Sequence, residues 1–438
     1  MENMIWNPRM ECMSRDEIHE VQSERLRAVV RRVYENVPFY RNKMQELGVS
    51  PMDIQSIDDI DKLPFTTKQD LRDNYPFGMF AVPLSQITRV HASSGTTGKP
   101  CVAGYTSGDI DRWAENMARS MTCAGITKQD VVHVAYGYGL FTGGLGAHYG
   151  AERIGASVIP VSGGNTQRQI QLLQDFHATA IACTPSYALN LAENIAAAGI
   201  KKGELSLKYG VFGAEPWSEG MRERIEDMLG IIALDVYGLT EIQGPGVAME
   251  CPVKNGLHVW EDHFYVETIG KDDKPQAYGE QGDVTFTTLT KQGMPLLRYR
   301  THDLATLDAA PCSCGRTHVR MSRITGRTDD MLIIRGVNVF PSQVEFALTR
   351  VPGITPNYQL IIDRVGTLDT MEVQVELAPE GMEDTVRGLE NLTRRIEEQL
   401  ASSVLVHCKV KLCQPGSLPR SEGKAKRIID LRKDKKNI

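Results

Sequence analysis

The chain has 438 residues, a formal net charge of −6 at pH 7, and 41% hydrophobic and 24% charged residues. This length exceeds one compact core and predicts two or three domains. The negative charge argues against a nucleic-acid surface, and the absence of an apolar run of about 18 residues argues against a membrane span. Nine scattered cysteines and an N-terminus without an apolar signal core favour a reducing cytoplasm over a disulfide framework.

The first half of the chain begins with a predicted helix. Ser14 and Glu17 form a capping-box pattern, and Leu26 and Val30 follow at helical spacing. From about residue 86 to residue 240, short apolar runs such as VVHVAYG and KYGVFGAE alternate with helical stretches such as TQRQIQLLQDF. Alternating strands and helices predict an α/β region with a largely parallel sheet.

The second half has two different patterns. Residues from about 250 to 325 are β-rich, with HFYVETIG, GDVTFTTLT and LATLDAA as predicted strands. Beyond them, PSQVEFALTRV and DTVRGLENLTRRIEEQL predict helices, whereas NYQLIIDRV, MEVQVELA and HCKVKLC predict strands. The pattern changes near ITGRTDD (324–330). We therefore expect an N-terminal domain of residues 1–328, with a β-rich subdomain at about 250–325, and a small α+β C-terminal domain of residues 329–438.

The stretch HASSGTTGKP, residues 91–100, concentrates glycines and hydroxyls beside one lysine. Two interpretations remain open. It is an ordinary Gly/Ser/Thr loop, or its backbone N–H groups, hydroxyls and Lys99 surround a phosphate. Pro100 stands where the common P-loop needs a hydroxyl, so support for a phosphate site must come from elsewhere in the chain.

Four further stretches accompany this loop in order along the chain. YGLTE (237–241), LRYRTHDLA (297–305), GRTDDMLIIRGVNVFPSQVE (326–345) and LPRSEGKAKR (418–427) resemble motifs of the adenylate-forming enzymes. These include acyl-CoA synthetases, luciferases and peptide-synthetase adenylation domains. GLFTGGLG, GAEPWSE and GLHVWEDHF look most like the phenylacetate-CoA ligases among them. The resemblance covers about residues 60–430, and it implies a large α/β N-terminal part followed by a mobile C-terminal domain.

The resemblance implies a reaction in two steps. The carboxylate of an arylacetic acid such as phenylacetate attacks the α-phosphate of ATP, giving an acyl-adenylate and pyrophosphate. The thiol of coenzyme A then displaces AMP, and Mg²⁺ assists the first step. A homodimer is also implied. One rival is an enzyme of the same fold that transfers to another acceptor; a second is a nucleotide-binding regulator, which predicts loss of Lys424, Glu241 or Asp303, all present here.

The resemblance also implies roles for individual residues around ATP. Lys424 is the implied catalytic lysine, although its segment alone reads as a solvated basic tail. Thr240 is implied to contact the α-phosphate, Glu241 to hold Mg²⁺, Asp303 to bind the ribose hydroxyls, and Arg327 to reach the ribose or the phosphates. The full set implied to bind ATP is Ser93, Ser94, Gly95, Thr96, Thr97, Gly98, Lys99, Gly213, Ala214, Glu215, Pro216, Asp235, Tyr237, Gly238, Thr240, Asp303 and Arg327.

Three more sets follow from the resemblance. The hinge between domains is implied at Asp329 or Asp330, and His302 stands where the common family form has glycine. The residues implied to face coenzyme A are Arg335, Gly336, Val337 and Asn338. The residues implied to contact the acid are Lys68, Tyr136, Phe141, Val236 and Pro245. For the aromatic members of this last set, packing in the protein core is an equally open interpretation.

A possible metal site stands apart from these motifs. The candidate ligands are Cys251, His258, Cys312 and Cys314. Thiolates and imidazole are the ligands of tetrahedral structural zinc, but this spacing departs from the common zinc fingers. His263 and His318 are nearby substitutes for the histidine ligand. The alternative is four residues with no common role.

Overall fold

The computed structural model describes residues 4–93, 100–328, 332–334, 337–365, 368–378, 386–404, 408–420 and 427–432. Within these ranges, no helix combines the length and the apolar character that crossing a membrane requires. The side chains of Val337 and Asn338 and several complete predicted site residues lie outside the description. These residues are Ser94, Gly95, Thr96, Thr97, Gly98, Lys99, Asp329, Asp330, Arg335, Gly336 and Lys424.

Short and long helices open the chain. The capping box predicted at Ser14 is present, because Ser14 accepts from the backbone N–H of Glu17 while the Glu17 carboxylate accepts from the backbone N–H of Ser14 at 2.8 Å. The helices are α1 Pro8–Glu11, α2 Arg15–Asn36, α3 Pro38–Glu46 and α4 Lys68–Asp73, with 3-10 helices at Pro51–Asp53, Ile57–Lys62 and Leu84–Gln86. A hairpin follows, formed by β1 Arg89–Ala92 and β2 Val102–Tyr105.

A mixed sheet with nine strands in the described ranges forms the centre of the N-terminal part. Its strands are β3 Val131–Val134, β4 Ser157–Ile159, β5 Ala180–Cys183, β6 Tyr209–Gly213, β7 Ile232–Leu239, β8 Gly244–Glu250, β9 Leu257–Val259, β13 Leu307–Asp308 and β14 Arg320–Met321. The associated helices are α5 Ser107–Cys123, α6 Gly143–Ile154, α7 Thr166–Asp175, α8 Pro185–Ala197 and α9 Glu219–Leu229. Strands β3 to β7 are parallel to their neighbours, and β8 returns antiparallel to β7. The carboxyl ends of the parallel strands therefore share one edge, where ligands bind in open α/β sheets.

A second sheet lies in the predicted β-rich region. Its strands β10 Phe264–Ile269, β11 Gly282–Thr288, β12 Tyr299–Ala305 and β15 Gly326–Arg327 pair antiparallel in the order β10-β11-β12-β15. The predicted strand LATLDAA is divided between the two sheets. Ala305 pairs with Gly282 in β11, whereas Leu307 pairs with Met321 in β14. The region is β-rich as predicted, but β9, β13 and β14 extend the main sheet.

The C-terminal part is a small α+β unit. Its elements are β16 Leu332–Ile334, β17 Val337–Val339, α10 Pro341–Leu348, β18 Ile354–Val365, β19 Leu368–Leu377, α11 Val386–Val404, β20 Lys409–Cys413 and β21 Ile428–Asp430. Strands β20, β19, β18 and β21 form its sheet in that order. Buried residues such as Ile334, Leu360 and Ile396 make a hydrophobic cluster separate from those of the N-terminal part. The predicted fold class is confirmed.

A buried ion pair joins α9 to β8. Arg222 donates to both carboxylate oxygens of Glu250, at 2.9 and 2.7 Å, and both side chains are 1% exposed. Burial raises the pKa of Glu250, and Arg222 opposes that rise. We expect Arg222→Met to reduce the free energy of unfolding by about 3–5 kcal/mol at pH 8, because it leaves a buried carboxylate without its cation.

The direction of the pKa shift of Glu250 determines how the loss of unfolding free energy depends on pH. A carboxyl whose pKa is raised by folding destabilises the protein as pH rises above its unfolded pKa of about 4.3. The deficit of Arg222→Met should therefore be smaller at pH 5 than at pH 8 in urea unfolding. The double variant Arg222→Met, Glu250→Gln should lose this dependence. A deficit of equal size at both pH values would contradict the assignment to Glu250.

Candidate active site

The ends of the predicted phosphate loop meet at the β1–β2 hairpin. The Ser93 N–H donates to the carbonyl of Cys101 at 2.9 Å, and the Cys101 N–H donates to Ser93 Oγ at 3.1 Å. Ala92 and His91 both donate to the carbonyl of Leu140, at 3.1 and 3.0 Å. Residues 94–99 are outside the description. The hairpin thus holds the two ends of this loop next to Leu140, in the segment that carries the predicted acid-binding residues Tyr136 and Phe141.

The turn after β7 carries Thr240 and Glu241. The hydroxyl of Tyr105 donates to the carbonyl of Thr240 at 2.9 Å, and Thr240 Oγ1 lies 3.3 Å from Thr142 Oγ1. Glu241 is 5% exposed, and no hydrogen bond or ion pair to its carboxylate is found in the described part of the chain. Burying a charged carboxylate is costly without a cation or donors. This oxygen ligand at a strand end therefore fits a hard cation such as Mg²⁺.

Tyr237, Asp303 and Arg327 form one hydrogen-bonded group across the two sheets. The Tyr237 hydroxyl donates to Asp303 Oδ2 at 2.6 Å, and Arg327 Nη1 donates to Oδ1 at 2.7 Å. Burial raises the pKa of Tyr237, and the Asp303 carboxylate raises it further. The Tyr237 ring stacks on Phe286 with 5.9 Å between ring centres. The predicted ribose ligand is therefore held in place by two donors.

The stretch of residues 213–216, predicted to bind ATP, begins at the end of β6 and contacts the start of α8. A Cβ on Gly213 would lie 2.1 Å from a carbonyl of β7, and one on Gly238 would lie 1.8 Å from a carbonyl of β8. Only glycine permits these close approaches. Ala214 has a φ of +73°, and Glu215 Oε1 accepts from the Ser186 N–H at 2.8 Å. The stretch is thus shaped by close strand contacts and by the N-terminus of α8.

The predicted acid-binding residues are only partly brought together. Tyr136 and Val236 are buried, at 7% and 4% exposure, and the Tyr136 hydroxyl meets the backbone of Gly213, which pairs with Val236. Trp113, which the sequence analysis missed, donates through Nε1 to the carbonyl of Pro245 at 3.0 Å. Phe141 is half exposed. The strand-end aromatics therefore contribute to the core, and Phe141 is placed apart from them.

Lys68 is predicted to contact the acid, and Asp235 is predicted to bind ATP. Lys68 begins α4, and the preceding Thr66 exchanges backbone hydrogen bonds with Arg298 and Arg300 at 3.1 and 2.9 Å. Burial raises the pKa of the Cys101 thiol, and Lys68 opposes that rise, so Lys68 lies on the side of the phosphate loop. Asp235 is close to Arg323, at 3.6 Å, and burial raises its pKa.

His302 adopts the backbone conformation that glycine would favour. Its φ is +66°, in the left-handed region, and its Nδ1 lies 2.9 Å from Thr328 Oγ1. The backbone N–H of His302 donates to Asp283 at 2.9 Å, so the turn is supported from β11. Asp303 keeps its predicted place in spite of this departure.

The segment of the predicted catalytic lysine is described at both ends. Arg420 lies 3.5 Å from Glu193 of α8, with 26% and 24% of the two side chains exposed. Arg427 pairs with Glu345, which also accepts from the backbone N–H of Ser218 at 3.2 Å. Arg420 therefore contacts the N-terminal part directly, whereas Arg427 is linked to it through Glu345 of α10.

The four predicted metal ligands come together at one end of the main sheet. The Sγ atoms of Cys251 and Cys312 are 3.8 Å apart, His258 Nε2 is 3.3 Å from Cys314 Sγ, and all four ligand atoms lie within 4.8 Å of one another. Zinc–sulfur bonds of about 2.3 Å in a tetrahedron place two sulfurs about 3.8 Å apart. The substitutes are used elsewhere: His263 contacts Thr290 at 2.8 Å and His318 contacts the carbonyl of Met10 at 2.8 Å. The donor set and its spacing fit zinc.

Solved structures of related enzymes share the whole architecture. A 2-hydroxyisobutyryl-CoA ligase in the postadenylation state, in complex with R3-HIB-AMP, aligns with a TM-score of 0.92 and 31% identity, covering 98% of this chain and 93% of that one. The same ligase in the thioesterification state, with 2-HIB-AMP and CoA, aligns with a TM-score of 0.73 and 32% identity over the same shares. The domain arrangement described here is therefore closer to the postadenylation state.

Sequence comparisons give the family. Residues 53–286 match the AMP-binding enzyme family, and residues 336–432 match the AMP-binding enzyme C-terminal domain. A phenylacetate-coenzyme A ligase of Escherichia coli is 52% identical over 435 residues, covering 98% of this chain and 99% of the relative. One of Thermus thermophilus is 50% identical over 445 residues, covering 98% and 100%. The chain belongs to the phenylacetate-coenzyme A ligase family of the AMP-binding enzymes, as its motifs predicted.

Proposed function

We propose that this chain is an ATP-dependent ligase that joins phenylacetate, or a closely related arylacetic acid, to coenzyme A. The products are the arylacetyl thioester, AMP and pyrophosphate. The observation that carries the proposal is the arrangement around β7. Tyr237 of β7 belongs to the hydrogen-bonded Tyr237–Asp303–Arg327 group, and the nearly buried Glu241 follows the same strand. We assign this group to the ribose of ATP and Glu241 to its Mg²⁺. The identity with the phenylacetate-coenzyme A ligases supports the choice of acid.

In the first half-reaction, a carboxylate oxygen of the acid bonds to the α-phosphorus of ATP, and the bond from that phosphorus to the pyrophosphate oxygen breaks. Glu241 would hold Mg²⁺, and the cation would neutralise part of the phosphate charge. The Thr240 hydroxyl donates to the α-phosphate, and Lys424 stabilises the charge that develops there. Asp303, fixed by its two donors, accepts from the ribose hydroxyls. The loop from Ser93 to Lys99 surrounds the leaving pyrophosphate.

In the second half-reaction, the thiol sulfur of coenzyme A bonds to the acyl carbon and gives up its proton, and the bond from that carbon to the phosphate oxygen breaks, so that AMP leaves. We assign residues 329–438 to a domain that turns about Asp329 or Asp330 between the two steps. Its separate hydrophobic cluster supports movement as a unit. Arg335, Gly336, Val337 and Asn338 then face the coenzyme. The two solved states of the 2-hydroxyisobutyryl-CoA ligase support this assignment, because the chain aligns unequally with them.

The acid lies between the strand ends and α6. We assign Tyr136, Phe141, Val236 and Pro245 to the contacts with its ring. Lys68 attracts the carboxylate from the side of the phosphate loop. A methylene difference in an apolar pocket changes binding by only about 1–3 kcal/mol, so phenylacetate and its close analogues all react.

Detection of the thioester by mass spectrometry tests this proposal. Purified protein is incubated with ATP, Mg²⁺, CoA and a panel of aryl, arylacetic and short aliphatic acids. We expect phenylacetyl-CoA to exceed the other thioesters. AMP release without any thioester would favour the alternative, an adenylating enzyme that transfers to an acceptor other than CoA. The absence of both products would remove the ligase function.

We also propose that Cys251, His258, Cys312 and Cys314 hold a structural zinc ion. Metal analysis of purified protein should find about one zinc per chain. Cys314→Ser should lose that zinc and lower the unfolding temperature, because a ligand is removed from a site that joins β8, β9 and the segment after β13. Cys413→Ser, at an unrelated half-buried thiol of β20, is the matched control and should keep the metal. Stable protein without zinc would remove the site.

The quaternary structure and location are further proposals. We propose a cytoplasmic homodimer, as the family resemblance implies. Light scattering coupled to size-exclusion chromatography should give twice the mass of one chain. A mass of one chain at micromolar concentration would contradict the dimer, and recovery of the enzyme outside the cytoplasmic fraction would contradict the location.

A further inference from the structure

A buried lysine outside the recognised motifs supports the turn that carries Glu241. Lys291 lies between β11 and β12 and is 7% exposed. Its Nζ donates to the carbonyls of Glu241 and Ile242, at 3.0 and 2.7 Å. It also lies 4.5 Å from the centre of the Tyr105 ring. An ammonium in this position binds two backbone oxygens and an aromatic face at the same time.

Tyr105 binds the carbonyl of Thr240, the residue before Glu241, in the same way. Its hydroxyl donates to the carbonyl of Thr240 at 2.9 Å, so three consecutive carbonyls of the turn are held by Tyr105 and Lys291. The Tyr105 ring stacks on Trp113 with 5.4 Å between centres. Trp113 in turn donates to the carbonyl of Pro245, at the start of β8. One stack of side chains therefore holds both ends of the β7–β8 connection.

The charge arrangement points to function as well as to packing. In the described ranges, no carboxylate lies within ion-pair distance of Lys291, and none of the cations there pairs with Glu241. The Asp109 and Glu241 carboxylates act on this ammonium only from beyond ion-pair distance. A buried ammonium without an ion-pair partner is costly, and an apolar side chain would often serve a core better. Here the ammonium of Lys291, from the β11–β12 connection, binds the backbone of Glu241, and no hydrogen bond or ion pair to the carboxylate of Glu241 is found in the described ranges.

We infer that Lys291 and Tyr105 are positioning residues that fix the Thr240–Ile242 backbone and so aim the Glu241 carboxylate at the metal–nucleotide complex. This inference rests on the proposed adenylation reaction. Without the ammonium, two buried carbonyls lose their donor and the turn relaxes toward other partners. Loss of the Lys291 ammonium or of the Tyr105 hydroxyl leaves the Tyr105 ring, the Trp113 stack and the bond from Trp113 to Pro245 in place, so the residues assigned to the acid should keep their positions. The effect should therefore fall on the Mg²⁺·ATP step and spare binding of the acid.

The test compares two variants. Lys291→Met removes the ammonium but keeps a long unbranched side chain, and Tyr105→Phe removes the hydroxyl but keeps the ring. Equilibrium binding of Mg²⁺·ATP is measured by calorimetry, beside kcat and KM for each substrate in the adenylation half-reaction. We expect Lys291→Met to weaken Mg²⁺·ATP binding or its kcat/KM by about 10- to 100-fold, as loss of an outer support of a metal ligand does. KM for phenylacetate should stay within about threefold, and Tyr105→Phe should show a smaller change of the same kind.

Leu191→Ala in α8 is the control for general destabilisation, since Leu191 is fully buried in a different hydrophobic cluster. It should lower the unfolding temperature without changing Mg²⁺·ATP binding. The inference is overturned if Lys291→Met and Tyr105→Phe bind Mg²⁺·ATP like the unchanged protein, or if they behave like Leu191→Ala. If Lys291→Met does not fold, the outcome for Tyr105→Phe decides. Failure of the unchanged protein to form an adenylate would instead count against the proposed function.

Discussion

Lys424→Ala should reduce acyl-adenylate formation by about 100- to 1,000-fold, as removal of one group that stabilises developing charge does. Release of pyrophosphate from ATP in the presence of phenylacetate measures this step. Thioester formation from supplied phenylacetyl-adenylate and CoA should remain within about threefold, because that step takes place at the acyl carbon and phosphorus is not attacked. The reason lies in chemistry rather than in folding: the ammonium is needed only while phosphorus is attacked.

The described residues on either side of the segment 421–426 lie close to the N-terminal part. Arg420 reaches Glu193, and Arg427 pairs with Glu345, which accepts from the Ser218 N–H. Lys426→Ala is the matched control, because it removes the same charge two residues away and should change neither step. Equal losses of rate in both half-reactions for Lys424→Ala would contradict the assignment of this lysine to adenylation.

Glu241→Gln should reduce adenylation by a factor of similar size and should make the folded protein more stable. The amide is a poorer ligand for Mg²⁺ than the carboxylate, so adenylation should fall by about 100-fold or more, and the Mg²⁺ concentration for half-maximal rate should rise. In metal-free buffer, the variant should unfold at a higher urea concentration than the unchanged protein. The carboxylate is 5% exposed without a partner in the described ranges, and neutralising it removes that cost.

Both halves of this prediction can be checked on the same preparations. Urea unfolding without Mg²⁺ and ATP gives the stability, and Mg²⁺ titration of pyrophosphate release gives the activity. Glu223→Gln, on the exposed side of α9, changes the net charge equally and should alter neither quantity. A Glu241→Gln variant that is less stable and still fully active would show that this carboxylate supports the fold instead of the metal.

The motif residues were predictable because the chemistry of the family depends on residue type and order. The sequence alone identified Asp303, Tyr237 and Arg327, and the structure joins them by hydrogen bonds. The four zinc-site candidates were also found by ligand type, although their spacing left His263 and His318 open. Folding settled that choice, since β9 carries His258 to the cysteines.

The supporting residues were not predictable in the same way. Lys291, Tyr105 and Trp113 act through single contacts to carbonyl groups, and a lone lysine or aromatic carries no recognisable spacing. The division of LATLDAA between two sheets was missed for a related reason. Periodicity reports which side of a strand is buried, but the partner strand is chosen by the tertiary fold.

The partly exposed contacts on either side of residues 421–426 have a consequence for the balance between the two half-reactions. An ion pair such as Arg420–Glu193, at 3.5 Å and about a quarter exposed, contributes roughly 0–1 kcal/mol. A contact of that strength shifts the populations of two domain arrangements by about fivefold at most. If the C-terminal domain turns as proposed, a contact of this strength would not hold it in one arrangement during turnover. Raising the ionic strength would screen the pair and shift the resting population away from the arrangement described here.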